Sequence, residues 1–118
     1  MSLIRVLTED EVRDGYTDKT GFHFGAKQIL ELDRAEDSVQ QGTGQLTTFR
    51  QLGFSGKGST HKPDGWYLPE DLTQVALILE TKSSDKDINN PSFINELLTN
   101  VQIANGKYSR VVGILYNG

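Results

Sequence analysis

Five consecutive apolar residues, Val75-Ala76-Leu77-Ile78-Leu79, run directly into Glu80-Thr81-Lys82. An unbroken apolar run of this length suits a strand covered on both faces, as in a sheet with helices on either side. A charge placed straight after a buried run needs compensation, so 79–82 is the first place to look for function.

The flanking segments make this an α/β chain. Lys62 to Leu68 reads as a second strand. Asn90 is a favoured N-cap with Pro91 at the first helical position, and the helix that follows is expected to bury Ile94, Leu97, Leu98, Val101 and Ala104 and to stop at Gly106. Val111 to Tyr116 reads as another buried strand. Upstream, Thr8-Glu9-Asp10-Glu11 is a capping box opening a short helix over 9–16. Ile29, Leu32, Ala35 and Val39 recur at helical spacing within 21–39, and Gln41-Gly42-Thr43-Gly44 interrupts the pattern. Leu46, Phe49 and Leu52 fit a short helix, although Thr47-Thr48 leaves a strand open. Residues 55–60 form a Gly- and Ser-rich loop. The order is helices, strand, strand, helix, strand, which implies a layered α/β domain with a mixed sheet. The chain of 118 residues fits one domain over 1–118. Asn117-Gly118 is a hairpin signal with nothing after it, so a piece of a longer protein is expected.

A hairpin centred on Leu72 pairs positions that sum to 144. In that register Asp64 lies opposite Glu80 and Lys62 opposite Lys82, and directly paired residues share a face. Glu80 and Lys82 share that face through strand alternation. The register is an assumption, since a slip of one residue sends Asp64 to the other side. Two adjacent carboxylates repel unless a cation lies between them or one is protonated. An oxygen-liganded ion such as Mg²⁺ suits them and retains positions for water and phosphate. Lys82 beside it would position a water or stabilise developing negative charge. The chemistry that follows is phosphodiester hydrolysis.

Pro63-Asp64, a fifteen-residue gap and Glu80-Thr81-Lys82 resemble the signature of the PD-(D/E)XK nuclease superfamily. The stretch from the helix to Val-Val-Gly-Ile-Leu-Tyr-Asn-Gly is similar to nuclease domains at the N-termini of restriction–modification subunits. The likeness spans roughly 61–118. It implies a restriction-endonuclease-like αβββαβ core, a mixed central sheet flanked by helices, and Mg²⁺-dependent cleavage of DNA, with Mn²⁺ as a substitute ion. It also implies companion domains or subunits of a restriction–modification complex. By the same likeness Asp64 and Glu80 bind metal, the Thr81 carbonyl assists, and Lys82 is the catalytic lysine. Glu31, with Glu11 behind it, is the candidate for the family's first-helix glutamate. Gln102 is the candidate for its later glutamine, with Gly106 standing where an aromatic is expected.

Charge qualifies this reading. The net charge is −4 and the pI about 5.1, so tight DNA capture by this domain alone is not expected. Residues 1–40 hold nine acids against five bases, whereas 41–64 hold Arg50, Lys57 and Lys62 against Asp64 alone. Lys57, His61 and Lys62 are therefore the candidate DNA contacts. The absence of cysteine excludes thiolate metal sites and disulfides. Leu3-Ile4-Arg5-Val6-Leu7 is too short and too charged for a signal peptide, and no run is long enough to cross a membrane, so a cytoplasmic location is expected.

Three other patterns weigh less. Gly53 to Thr60 fails as a phosphate-binding loop, because Gly58 follows Lys57 where Ser or Thr is required. Asp85, Asp87, Asn89 and Glu96 match positions of a calcium loop, but Asn90 replaces the turn glycine and Pro91 falls at position 7. Trp66 fits the core better than a substrate surface. A non-catalytic binding or scaffolding module on the same fold is the alternative to the nuclease, and an RNA or junction substrate also fits the pattern.

Overall fold

The computed structural model describes residues 5–118; Leu3 and Ile4 of the N-terminal apolar stretch lie outside it. The capping box forms as expected. Thr8 Oγ1 accepts the Glu11 N–H at 3.2 Å, and the Thr8 N–H donates to Glu11 Oε1 at 3.0 Å. Helix α1 (Glu9–Asp14) ends at Gly15, whose φ of +83° stops it before residue 16. The chain then forms a small hairpin, β1 (Tyr16–Asp18) and β2 (Gly21–His23).

The long helix expected over 21–39 is not there. Only α2 (Ala26–Ile29) is helical. Gly25 sits so close to α1 that a Cβ on it would lie 2.3 Å from the Gly15 nitrogen. Glu31 and Ser38 then take positive φ, which a continuing helix does not allow. The helical spacing arose from residues with different fates: Leu32 is buried, Ile29 is exposed, and Val39 opens a strand, β3 (Val39–Thr43). Residues 46–52 form turns rather than a helix or a strand, and they bury Phe49 and Leu52. The 55–60 loop is pinned beside them, the Phe49 N–H donating to the His61 carbonyl at 2.9 Å and the Arg50 N–H to that of Ser59 at 2.8 Å.

β4 (Gly65–Pro69), β5 (Ala76–Thr81), α3 (Pro91–Ala104) and β6 (Val111–Tyr116) complete the chain. Asn90 caps α3 by accepting the Ser92 N–H at 2.9 Å. The four-stranded sheet runs β3-β4-β5-β6, with two antiparallel pairings and a parallel β5–β6 pair bridged by α3. The protein is thus an α/β domain with a mixed sheet. One face carries Trp66, Leu68, Ala76 and Ile78 against Phe49, Phe54, Ala104 and Tyr108. The other carries Leu79, Leu77 and Tyr67 against Ala26, Leu30 and Leu32.

Two burial expectations are corrected. Strand β6 is an edge strand and leaves Val112 about half exposed. Helix α3 is rotated, so Ile94 and Leu98 face outward while Leu97, Asn100, Val101 and Ala104 turn towards the sheet. Gly113 permits the close seat: a Cβ there would lie 2.7 Å from Val101 Cγ2 and 3.2 Å from Leu97 Cδ1.

Candidate functional site

The β4–β5 register is the one the sequence suggests. Gly65, Trp66 and Tyr67 pair with Leu79, Ile78 and Leu77. The ladder stops one residue short of Asp64, whose N–H donates to the Leu79 carbonyl at 3.1 Å. Its side chain then reaches across, and Oδ2 accepts the Thr81 N–H at 2.8 Å and the Thr81 hydroxyl at 3.3 Å. Pairing of Lys62 with Lys82 does not occur within the ladder. Glu80 lies on the α3 face of β5 and is 1% exposed. Burial pushes its carboxyl up to about 9, reinforced by the charge of Asp64 and a hydrogen bond to it, while Asn100 acts in the opposite direction. The Glu80 carboxyl is thus held towards its neutral form beside Asp64 when no cation is near.

Asn100, from α3, donates its Nδ2–H to Glu80 Oε1. It is 3% exposed, and its Oδ1 has no partner. Lys82 closes the group. Its Nζ lies 2.9 Å from Glu96 Oε2 and 4.7 Å from the centre of the Phe93 ring. Burial lowers the ammonium's pKa, but the hydrogen bond and charge of Glu96, with Glu9 and Glu80, outweigh it and the net shift is upward.

Helix α1 reaches the site from the other side. Leu7 and Ser84 exchange hydrogen bonds, Leu7 N–H to Ser84 Oγ at 2.7 Å and Ser84 N–H to the Leu7 carbonyl at 3.0 Å. They dock the start of α1 beside the end of β5. The carboxyl of Glu9 in its first turn is raised by burial and then by the charge of Asp64, with Lys82 and Arg13 opposing. Glu9 is thus the first-helix acid within range of the site. Glu11 is taken up by the cap and by Arg5. Glu31 pairs with Arg34 at 2.8 Å. Its neighbour Leu32 packs on Leu79, on the sheet face away from Glu80.

The other candidates separate. Lys57, His61 and Gln102 line one groove of about 440 Å³ with Gly58, Thr99 and Ile103, between the 55–61 loop and α3. Lys62 is exposed and makes no ion pair among the described residues. Trp66 is core, stacked over Gly42. The calcium-loop pattern does not converge, because Glu96 pairs with Lys82 while Asp85 and Asp87 bond within their own turn.

Among the described residues no three His, Cys, Asp or Glu side chains come together to hold a metal. Mg²⁺ does not require three, since it keeps several waters and takes one or two carboxylates plus substrate phosphate. The donor set fits such an ion: two facing buried carboxyls, otherwise in mutual repulsion, with the Thr81 carbonyl between Glu80 and Lys82 in sequence. Sequence reading missed Asn100, Glu96 and Glu9. Asn100 had a legible signal, an amide four residues before Ala104 on the apolar stripe of α3, where polar side chains are uncommon. Glu96 stands one turn before it. The chain matches no family model, no curated protein and no solved structure.

Proposed function

We propose that this chain is a Mg²⁺-dependent endonuclease domain of the restriction-endonuclease-like αβββαβ type, hydrolysing DNA phosphodiester bonds as part of a cytoplasmic restriction–modification system. The observation that carries the reading is the pair of buried carboxyls, Asp64 bonded to the Thr81 N–H and Glu80 near the end of β5, with Lys82 two residues beyond Glu80. The order α1, β3, β4, β5, α3, β6 supports the fold assignment. The Lys57, His61 and Gln102 groove supports the substrate, supplying cationic and amide groups beside an acidic centre.

In this mechanism Asp64 and Glu80 would hold the ion, with help from the Thr81 carbonyl. Mg²⁺ there would neutralise phosphate charge and provide an activated water. A bound cation would favour the carboxylate form of Glu80. Lys82 Nζ keeps one of its three donors on Glu96 and directs the others to the attacking water and to the charge that develops on phosphate. Thr81 holds Asp64 in place through its backbone N–H. DNA capture falls largely to other domains or subunits of the complex, because the net charge of −4 leaves little general affinity for phosphate.

Plasmid cleavage by the native protein with Mg²⁺ tests the proposal. Activity is expected to disappear in Asp64→Ala and to fall by about 10²–10³ in Lys82→Ala, and cleavage undiminished by both substitutions sinks it. The second reading, a non-catalytic binding or scaffolding module, is favoured by the acidic balance of the chain, a net charge of −4. Calorimetry with Mn²⁺ separates the two, since heat of binding that depends on Glu80 belongs only to the nuclease.

A further inference from the structure

Helix α3 and strand β5 meet in matched steps. Glu80 near the end of β5 and Lys82 just beyond it stand two residues apart, and Glu96 and Asn100 stand four apart on one face of α3. Those intervals are about 6.6 Å along a strand and about 6 Å along a helix. The helix runs back against the strand, so Glu96 meets Lys82 and Asn100 meets Glu80. One step further on, Ile78 and Ala104 belong to the same fully buried cluster.

Asn100 occupies a position where an apolar residue would pack at lower cost. Its neighbours on the stripe are Leu97, Val101 and Ala104. Its Nδ2 is committed to Glu80 Oε1, and its buried Oδ1 has no hydrogen-bond partner. An asparagine retained for folding alone would have both ends satisfied. This one satisfies a single oxygen of a single carboxyl, Glu80 Oε1, beside the charge of Asp64.

We propose that Asn100 is a positioning residue of the site, fixing the Glu80 carboxyl so that it and Asp64 would together hold one divalent cation. The inference rests on the metal-site reading above and deepens it. Groups that hold a metal ligand by hydrogen bonding typically set affinity or activity by about 10- to 100-fold, and this is the size of effect expected of Asn100.

The test is Mn²⁺ titration by calorimetry, together with thermal unfolding in chelator, on the full chain. Asn100→Leu keeps the branched outline of the side chain at a somewhat larger volume while removing both the donor and the orphaned oxygen. The expected result is Mn²⁺ affinity lowered about 10- to 100-fold with a melting temperature equal to or above the parent's. Asn100→Ala serves if the leucine variant does not fold, with the same loss of affinity expected. Unchanged Mn²⁺ affinity in a folded variant, with or without a lower melting temperature, overturns the proposal and makes Asn100 structural. If the parent binds no Mn²⁺ while Glu80 is intact, the metal-site reading falls and this inference falls with it. If the parent binds and the leucine variant binds equally, only this inference falls.

Discussion

Asp64 Oδ2 accepts the backbone N–H of Thr81 at 2.8 Å, so a side chain continues the β4–β5 ladder after the main-chain pairing has ended at Gly65 and Leu79. The carboxylate that faces Glu80 is therefore also a structural acceptor, and two substitutions separate the roles. Asp64→Asn keeps an acceptor oxygen and loses the charge, so its urea midpoint is expected near the parent's while Mn²⁺ affinity collapses. Asp64→Ala leaves the Thr81 N–H unpaired in a buried position, at a cost of about 1–3 kcal/mol. Equal stability of the two variants would contradict this division of labour.

Glu80 sets the pH dependence. Its carboxyl lies at about 9 in the fold, against 4.5 ordinarily. Between those values the unfolded chain releases a proton that the folded chain retains, so stability falls as pH rises through the window. Melting temperatures in chelator are expected to decline from pH 5 towards pH 9. Mn²⁺ should recover stability, and most strongly at the alkaline end, because it binds only the folded state. In Glu80→Gln both effects should be absent; a slope that persists there assigns the pH dependence to another group.

Lys82→Ala separates catalysis from ion binding. It removes a positive charge beside the carboxyl pair, so Mn²⁺ affinity should hold or rise. Single-turnover cleavage should fall by about 10²–10³, the usual cost of losing one donor to the developing charge. A variant that loses cleavage and metal binding together would show Lys82 to be structural.

Gly113→Ala tests the seat of α3. The added methyl would lie 2.7 Å from Val101 Cγ2 and 3.2 Å from Leu97 Cδ1, so the helix has to shift. Overpacking of this kind costs about 1–3 kcal/mol. Because Asn100 and Glu96 travel with α3, Mn²⁺ affinity should drop along with the unfolding midpoint. A drop in stability alone would mean that the helix repacks without disturbing Glu80.

The site was legible wherever its residues lie close in sequence along β4 and β5. The unbroken apolar run 75–79 and the Glu-Thr-Lys that follows it could be read directly, and the pairing of 65–67 with 77–79, assumed from a turn centred on Leu72, is the one that forms. Strand β3 could not. Gln40, Gln41 and Gly42 carry no strand preference, and they are a strand because β4 offers them five paired positions. Glu9 was obscure for a similar reason. The capping box announced its helix, but only the Leu7–Ser84 hydrogen bonds bring that helix to the end of β5. Glu31 drew attention because its segment had helical spacing, and the backbone at Glu31 itself, with φ +56°, ends that spacing.

Sequence by itself determined the elements whose cause is local: the cap of α1, the start of α3 at Asn90-Pro91, and the strand that delivers Glu80 and Lys82 to one face. Tertiary structure decided how far α3 is rotated, which residue it presents to Glu80, and which acid of the N-terminal segment comes near. The physical reason is that periodicity records which face of an element is apolar on average. The partner surface, here the bare backbone of Gly113 beneath Leu97 and Val101, selects the rotation that packs and so places Asn100 against the buried carboxyl.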